Sequence, residues 1–356
     1  MSELDKLLQQ MEEAEASELY LQVGQQPKFR IHGDMAPVED APAMDQRMLG
    51  RYLMELVNET QREAFFKARD FYFVYSIEGK FRFRCNFFFQ QTGYAAVFRP
   101  IPNRVPTFDR LGLPPVLEKL AELAGGTVLV AGPPGCGKTT TMAAIVNTIN
   151  ENLRQHVIII EKPIEFLHKN KKSMIVHREV GLDTESFNKA VQAIARQDVD
   201  VALLSEFRDP EMIFDALKAA NRGTLVYGAV YAGSAVEAID AVIDAFPPDR
   251  QPLARDMLAE SLQAVVVQDL VPVIGGKQRV PACEILLQSD GLAEAVRKGD
   301  SESILSLIRS GRDSGMQTMD DALAELVKED VIDEASARKR ARDKERFAKR
   351  AGGDRA

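Results

Sequence analysis

From about residue 115 onward the chain carries short, almost wholly apolar runs, "GTVLVAG" (126–132), "HVIIIE" (156–161), "VDVALLSEF" (199–207) and "GTLVYGAVY" (223–231). Runs this short and rich in β-branched residues predict strands buried on both faces. The stretches between them have helical length and spacing. Strands alternating with helices predict an α/β fold, with a mostly parallel sheet covered on both sides. Beyond about 287 the pattern is helical throughout ("LAEAVRKG", "ESILSLIRSG", "TMDDALAELVKED", "EASARKRARDKERFAKR").

The first hundred residues read differently. "ASELYLQVGQQPKFRIHGDMAPV" predicts two short strands around a Gln-Gln-Pro turn, and "MDQRMLGRYLMELV" predicts a helix. "FYFVYSIEGKFRFRCNFFFQQTGYAAVFRPI" alternates as strands do, punctuated at Glu78-Gly79 and Thr92-Gly93. The expected domains are therefore a small α+β domain (1–102), a proline-rich linker (103–114), the α/β core (115–286) and C-terminal helices with a basic tail (287–356).

Composition excludes several function classes. With 45% hydrophobic and 28% charged residues, the 356-residue chain can bury real cores without staples. Cys85, Cys136 and Cys283 have no metal-ligand spacing, which suits a reducing compartment. No apolar run reaches the roughly 18 residues of a membrane helix, so the chain is expected to be cytoplasmic and not an integral membrane protein. The net charge of −8 is uneven, because residues 337–356 hold nine Lys or Arg against three Asp or Glu. That segment carries +6 and the remainder −14, so the body is too acidic for a general nucleic-acid binder. The tail itself reads as a solvated terminal helix, with an acidic partner or anionic lipid as the functional alternative.

The strongest chemical signal is Gly132-x4-Gly137-Lys138-Thr139 between a buried strand and a helix. Such a loop (Gly132, Pro133, Pro134, Gly135, Cys136, Gly137, Lys138, Thr139, Thr140) turns backbone N–H groups around a β-phosphate, helped by the helix N-terminus. Lys138 would reach the β- and γ-phosphates, and the Thr139 hydroxyl would ligate Mg²⁺. The expected ligand is a nucleoside triphosphate with Mg²⁺. Glu206, at the end of another apolar strand, is the candidate general base, and Arg208 and Asp209 on the following loop could pair.

Together, "ASELYLQVG", "FRFRCNFF…AVFRPIP", "GPPGCGKTTT", "IIIEKPIEF", "HREVGLDTESF", "LSEFRDPEMI" and "SGMQTMDDAL" resemble the type IV pilus retraction ATPases, the PilT/PilU branch of the secretion ATPase superfamily. The resemblance runs from about residue 5 to 330. It implies ATP as the nucleotide, a PAS-like N-terminal domain, a RecA-like P-loop core and a homohexameric ring, or one mixed with a paralogous ATPase. It also implies a pilus platform protein in the bacterial inner membrane as partner, at that membrane's inner face. Glu161 and Glu165 would support metal and water. Arg84 and Arg99, which match the family's N-terminal arginines, would stabilise charge on the phosphates.

The chain departs from the family pattern at several places. Lys162 stands where an aspartate belongs in "EKPIE", with an effect that depends on which way it faces. Ser205 replaces a glycine, Thr224 and Tyr231 replace two histidines, "GLAEAV" (291–296) replaces the retraction-associated helix, and Glu18 and Tyr20 replace Asp and His. Tyrosine, with an ordinary pKa near 10, is no proton carrier at neutral pH. The expectation is an ATPase with weak intrinsic hydrolysis; the alternative is an accessory or regulatory ring subunit working with an active paralogue.

Overall fold

The computed structural model describes residues 2–31, 33–77, 81–101, 105–276 and 278–351, which fall into two compact units, Met1–Arg104 and Val105–Ala356. The Glu78-Gly79 turn, the start of the expected linker and the last five residues of the basic tail lie outside the described residues.

The first unit contains α1 (Glu3–Glu13), β1 (Glu18–Gln22), β2 (Lys28–Ile31), β3 (Asp34–Pro37), α2 (Gln46–Glu55), α3 (Glu59–Ala68), β4 (Asp70–Ile77), β5 (Phe81–Gln90) and β6 (Gly93–Ile101). Its six strands form one antiparallel sheet in the order β3-β2-β1-β6-β5-β4. The period-2 pattern decides which side chains go inside. Phe83, Cys85 and Phe87 of β5, Phe98 of β6 and Leu19 and Leu21 of β1 are buried, under the apolar stripe Leu4, Leu7, Leu8 and Met11 of α1. The intervening residues Glu18, Arg84 and Arg99 are left on the other face. Where two strands were expected before residue 40 there are three, because β3 folds back on β2 from Ile31↔Asp34.

The second unit continues with α4 (Phe108–Leu111), a 3₁₀ helix (Pro115–Glu122), β7 (Gly126–Ala131), α5 (Lys138–Asn152), β8 (His156–Glu161), β9 (Met174–Glu179), α6 (Phe187–Ile194), β10 (Val201–Leu204) and α7 (Pro210–Ala220). Then come β11 (Leu225–Val230), α8 (Ala235–Asp244), α9 (Gln251–Ser261), β12 (Leu262–Pro272), β13 (Arg279–Leu287), α10 (Leu292–Lys298), α11 (Ser301–Ser310), α12 (Met319–Lys328), α13 (Glu334–Arg340) and α14 (Lys344–Ala351). The seven strands are ordered β13-β12-β7-β11-β10-β8-β9, parallel except for the β12–β13 hairpin.

Alternate residues of β7 feed two cores. Val128 and Val130 pack with Met142, Ile145 and Ile149 of α5, while Leu129 and Ala131 join the core of the opposite face, shared with Ile213 of α7, Ile239 of α8 and Leu323 of α12. Residues from Val105 on are part of this unit rather than a free linker: Phe108 and Leu113 are buried in the same core as α5.

The basic tail differs most from expectation. Its described part, up to residue 351, is docked, not solvated. Ala337, Ala341 and Phe347 are buried in the core, and the N–H groups of Arg342 and Asp343 donate to Asp320 at 2.8 and 3.0 Å. Arg340 pairs with Asp269 at 3.1 Å and Arg342 with the buried Glu284 at 2.9 Å. Asp321, only 6% exposed, gathers Arg312, Arg346 and Arg350. The carboxylates of Glu284 and Asp321 would be costly to bury alone, so the tail's cations complete them. Three apolar side chains hidden among nine cations were too sparse to read as a buried face.

Replacing Phe347 by alanine is expected to destabilise the second unit by about 3–5 kcal/mol. The tail should then become a trypsin substrate at Arg338–Arg350 under conditions where the wild type resists. Limited proteolysis followed by mass spectrometry, alongside thermal melting, measures both.

Candidate functional site

Parallel pairing puts the C-terminal ends of β7, β11, β10 and β8 on one edge of the sheet, the edge where α/β proteins bind ligands. Gly132 follows β7, Tyr231 follows β11, Glu206 lies just past β10, and Glu161 ends β8. At about 4.8 Å per strand, Glu206 issues roughly 10 Å from β7 and Glu161 roughly 14 Å away.

The 132–139 loop is drawn against β12. Gly132 has φ +145°, and a Cβ there would sit 2.3 Å from the Gln268 carbonyl and 2.5 Å from the Cys136 sulfur, so no side chain fits. Gly137 (φ +92°) turns the loop into the N-terminus of α5. Gln268, buried in β12, donates from Nε2 to the Cys136 carbonyl at 2.8 Å and accepts from the Thr141 hydroxyl at 2.7 Å. Pro133, Pro134 and Gly135 are exposed, while Thr139 and Thr140 are half-buried in the first turn of α5.

Lys138 is folded onto its own loop. Its ammonium donates to the carbonyls of Gly132 (2.8 Å) and Pro133 (3.0 Å) and approaches Cys136 Sγ at 3.8 Å, under the Tyr231 ring at 4.4 Å from the centroid. Burial holds its pKa below the usual lysine value, and burial pushes the Cys136 thiol up.

The acids fall into two groups. Glu161 is buried and accepts the Glu165 N–H at 3.3 Å, while the Ile164 N–H donates to Glu179 at 3.1 Å. The 161–165 segment thus wraps its backbone around carboxylates, and Lys162 points out into solvent. Half-buried Glu206 is bound by Arg208 at 2.9 Å. The pairing of Arg208 with Asp209 that the sequence suggested does not occur: Asp209 caps α7 through the Met212 N–H (3.0 Å) and accepts from Asn188 (2.9 Å). Of the two positions where the family has histidine, Tyr231 follows the last residue of β11 and Thr224 precedes the first, so they occupy opposite edges of the sheet. Thr224 serves the fold there, donating to the Val199 carbonyl.

Arg84 and Arg99 belong to the first unit, facing each other across β5 and β6. Glu18 accepts from Arg99 at 2.9 Å, from Tyr20 at 2.7 Å, and pairs with Arg30 at 2.7 Å. Burial by itself would raise the Glu18 carboxyl, but Tyr20, Arg99 and Arg30 together hold it below the usual range.

Two participants escaped sequence reading. Gln268 had a signal, a glutamine inside the apolar run "AVVVQDLV" of β12. The tail had none: Arg340 and Arg342 line, with Gly132, Tyr231, Gln268 and Asp269, a cavity of about 560 Å³ beside the loop. A second cavity of about 510 Å³, lined by Asp200, Arg222 and Thr224, lies at the other edge, where β10 and β11 begin.

Residues 2–355 match the family model described as "Type II/IV secretion system protein". The chain is 40% identical over 319 residues to a twitching motility protein of Neisseria gonorrhoeae, covering 90% of this chain and 85% of that protein. It is 38% identical over 332 residues to the type IV pilus retraction ATPase PilT of Pseudomonas aeruginosa, covering 93% and 96%. The crystal structure of the pilus retraction motor PilT with bound ADP superposes with a TM-score of 0.90 at 33% identity, covering 97% of this chain and 99% of that one.

Gln268→Leu should leave the Cys136 carbonyl and Thr141 hydroxyl without their partner, at a cost of about 1–3 kcal/mol. The expected readout is a lower melting temperature with less gain on adding nucleotide. Equal melting curves would show that the loop holds its shape without this side chain.

Proposed function

This chain belongs to the type II/IV secretion system protein family, in its pilus retraction ATPase branch, and on that premise we propose that it is a ring-forming P-loop ATPase that drives type IV pilus retraction and twitching motility. One observation carries the reading most directly. Gly132 leaves the loop with no room for a side chain, Gly135 and Gly137 turn it through positive φ, and Lys138 lies against its carbonyls at the N-terminus of α5. A glycine-turned loop that opens a helix suits a polyphosphate, whose oxygens can take the loop N–H groups and the N-terminus of α5.

In this reading the loop and Lys138 hold the phosphates and the Thr139 hydroxyl holds Mg²⁺. The metal would neutralise charge on the phosphate oxygens. Glu206 would orient the attacking water, and Glu161 and Glu165 would position groups around it. Arg84 and Arg99 would offer fixed charge to the transferred phosphoryl group. For Arg99 that requires release from Glu18, which holds it in an exposed and therefore weak pair. The assembly proposed is a hexamer, alone or mixed with a paralogue, in the cytoplasm at an inner-membrane platform protein. Among the described residues no helix is long and apolar enough to cross a membrane.

A second reading, a slow-hydrolysing ring subunit that serves an active paralogue, is favoured by the hold of Arg208 on Glu206. Phosphate release by the purified protein, alone and with the paralogue, separates the two.

Lys138→Ala is expected to abolish or strongly weaken binding of a fluorescent ATP analogue, and unchanged affinity would sink the nucleotide assignment. Light scattering over a concentration series, with and without nucleotide, should find hexamers. A monomer under every condition would remove the ring.

A further inference from the structure

We propose that the Tyr231 ring is a displaceable cap on the P-loop lysine, which a polyphosphate must push aside and which therefore sets how tightly nucleotide binds. The inference rests on the reading of the 132–139 loop as a nucleotide site and adds to it a residue that controls access.

The ammonium of Lys138 is satisfied first within its own loop. Two of its bonds go to backbone carbonyls of its own loop, Gly132 and Pro133, and Cys136 Sγ lies 3.8 Å away. What remains open is covered by the face of Tyr231, 4.4 Å from nitrogen to ring centroid. A cation held over an aromatic face is attracted by the ring's negative quadrupole, so the ring competes for the same charge a phosphate would use. The carbonyls belong to the loop itself and stay beside the ligand. The ring does not.

Its surroundings allow it to move. Tyr231 is 61% exposed, so one face meets Lys138 while much of the ring meets solvent. Its backbone is held on both sides, by the end of β11 and by the start of α8, where Ser234 caps the Glu237 N–H at 3.0 Å and the Gly233 N–H donates to Glu237 at 2.8 Å. A fixed pivot with an exposed side chain can swing about χ1 without disturbing the sheet. The adjoining cavity of about 560 Å³, which Tyr231 itself lines with Ala232 and Gly233, gives the ring somewhere to go.

The cap acts through the ring face, not the hydroxyl, and this makes it testable. Calorimetric titration of the full chain with unlabelled MgADP and MgATP should show Tyr231→Ala binding about two- to fivefold tighter than wild type, the worth of an exposed cation–π contact. Tyr231→Phe should retain wild-type affinity. Tyr231→Phe should melt with the wild type and Tyr231→Ala no more than a few degrees lower, the worth of the lost contact, which separates loss of the cap from loss of fold. Weaker or unchanged binding in Tyr231→Ala overturns the proposal, since weakening would make the ring a nucleotide contact. A phenylalanine variant that behaves like alanine overturns it as well. Wild-type binding that survives in Lys138→Ala would instead defeat the nucleotide reading itself, so the two failures are distinguishable.

Discussion

β7 is an interior strand of a seven-stranded sheet, hydrogen-bonded to β11 on one side and β12 on the other, and is buried on both faces. A strand so enclosed cannot shift by a residue without moving Val128 and Val130 into the wrong core. Its last residue is therefore a fixed point from which the 132–139 loop must leave. The loop has little choice of path: against Gln268 of β12 only glycine fits at 132, and Gln268 then holds the loop through the Cys136 carbonyl and α5 through Thr141. The start of α5 and the position of Lys138 follow from this enclosed strand and its neighbour Gln268.

The same edge is where the end of the chain returns. Asp269, next to Gln268, takes Arg340 of the tail, while Glu284 on the neighbouring strand takes Arg342 and also accepts the N–H groups of Ala235 and Met319 at 2.7 and 3.3 Å. An acidic body and a basic tail thus neutralise one another within one chain. A buried carboxylate with several partners is costly to disrupt one partner at a time, so the tail, the start of α8, the start of α12 and the loop's supporting strand are linked through a few acids. Their connection to the 132–139 loop is structural, and it passes through the two consecutive residues Gln268 and Asp269.

In the first unit, charge is arranged on the outer face of the sheet. Arg30, Glu18, Arg99 and Arg84 sit on four successive strands, β2, β1, β6 and β5, with the single carboxylate between cations. The arrangement explains why Glu18 stays ionised despite partial burial. It also means that Arg99 already has an anionic partner, so any other anion it takes would exchange with Glu18.

What the sequence by itself determined were the features encoded over short stretches. The strands β7, β8, β10 and β11 were legible because burial on both faces leaves an uninterrupted apolar run, and the 132–139 loop because its glycines and lysine lie within eight consecutive residues. β9 was missed because an edge strand has a mixed pattern, and β12 because it contains Gln268 and Asp269. The tertiary structure alone decided the rest. Gln268 meets Cys136 from 132 positions away, Arg342 meets Glu284 from 58, and the tail reads as solvated until those acids are placed beside it. Likewise, Thr224 and Tyr231 are seven residues apart in one motif, yet a strand rises about 3.3 Å per residue. The strand between them carries them to opposite edges, and only Tyr231 reaches the lysine.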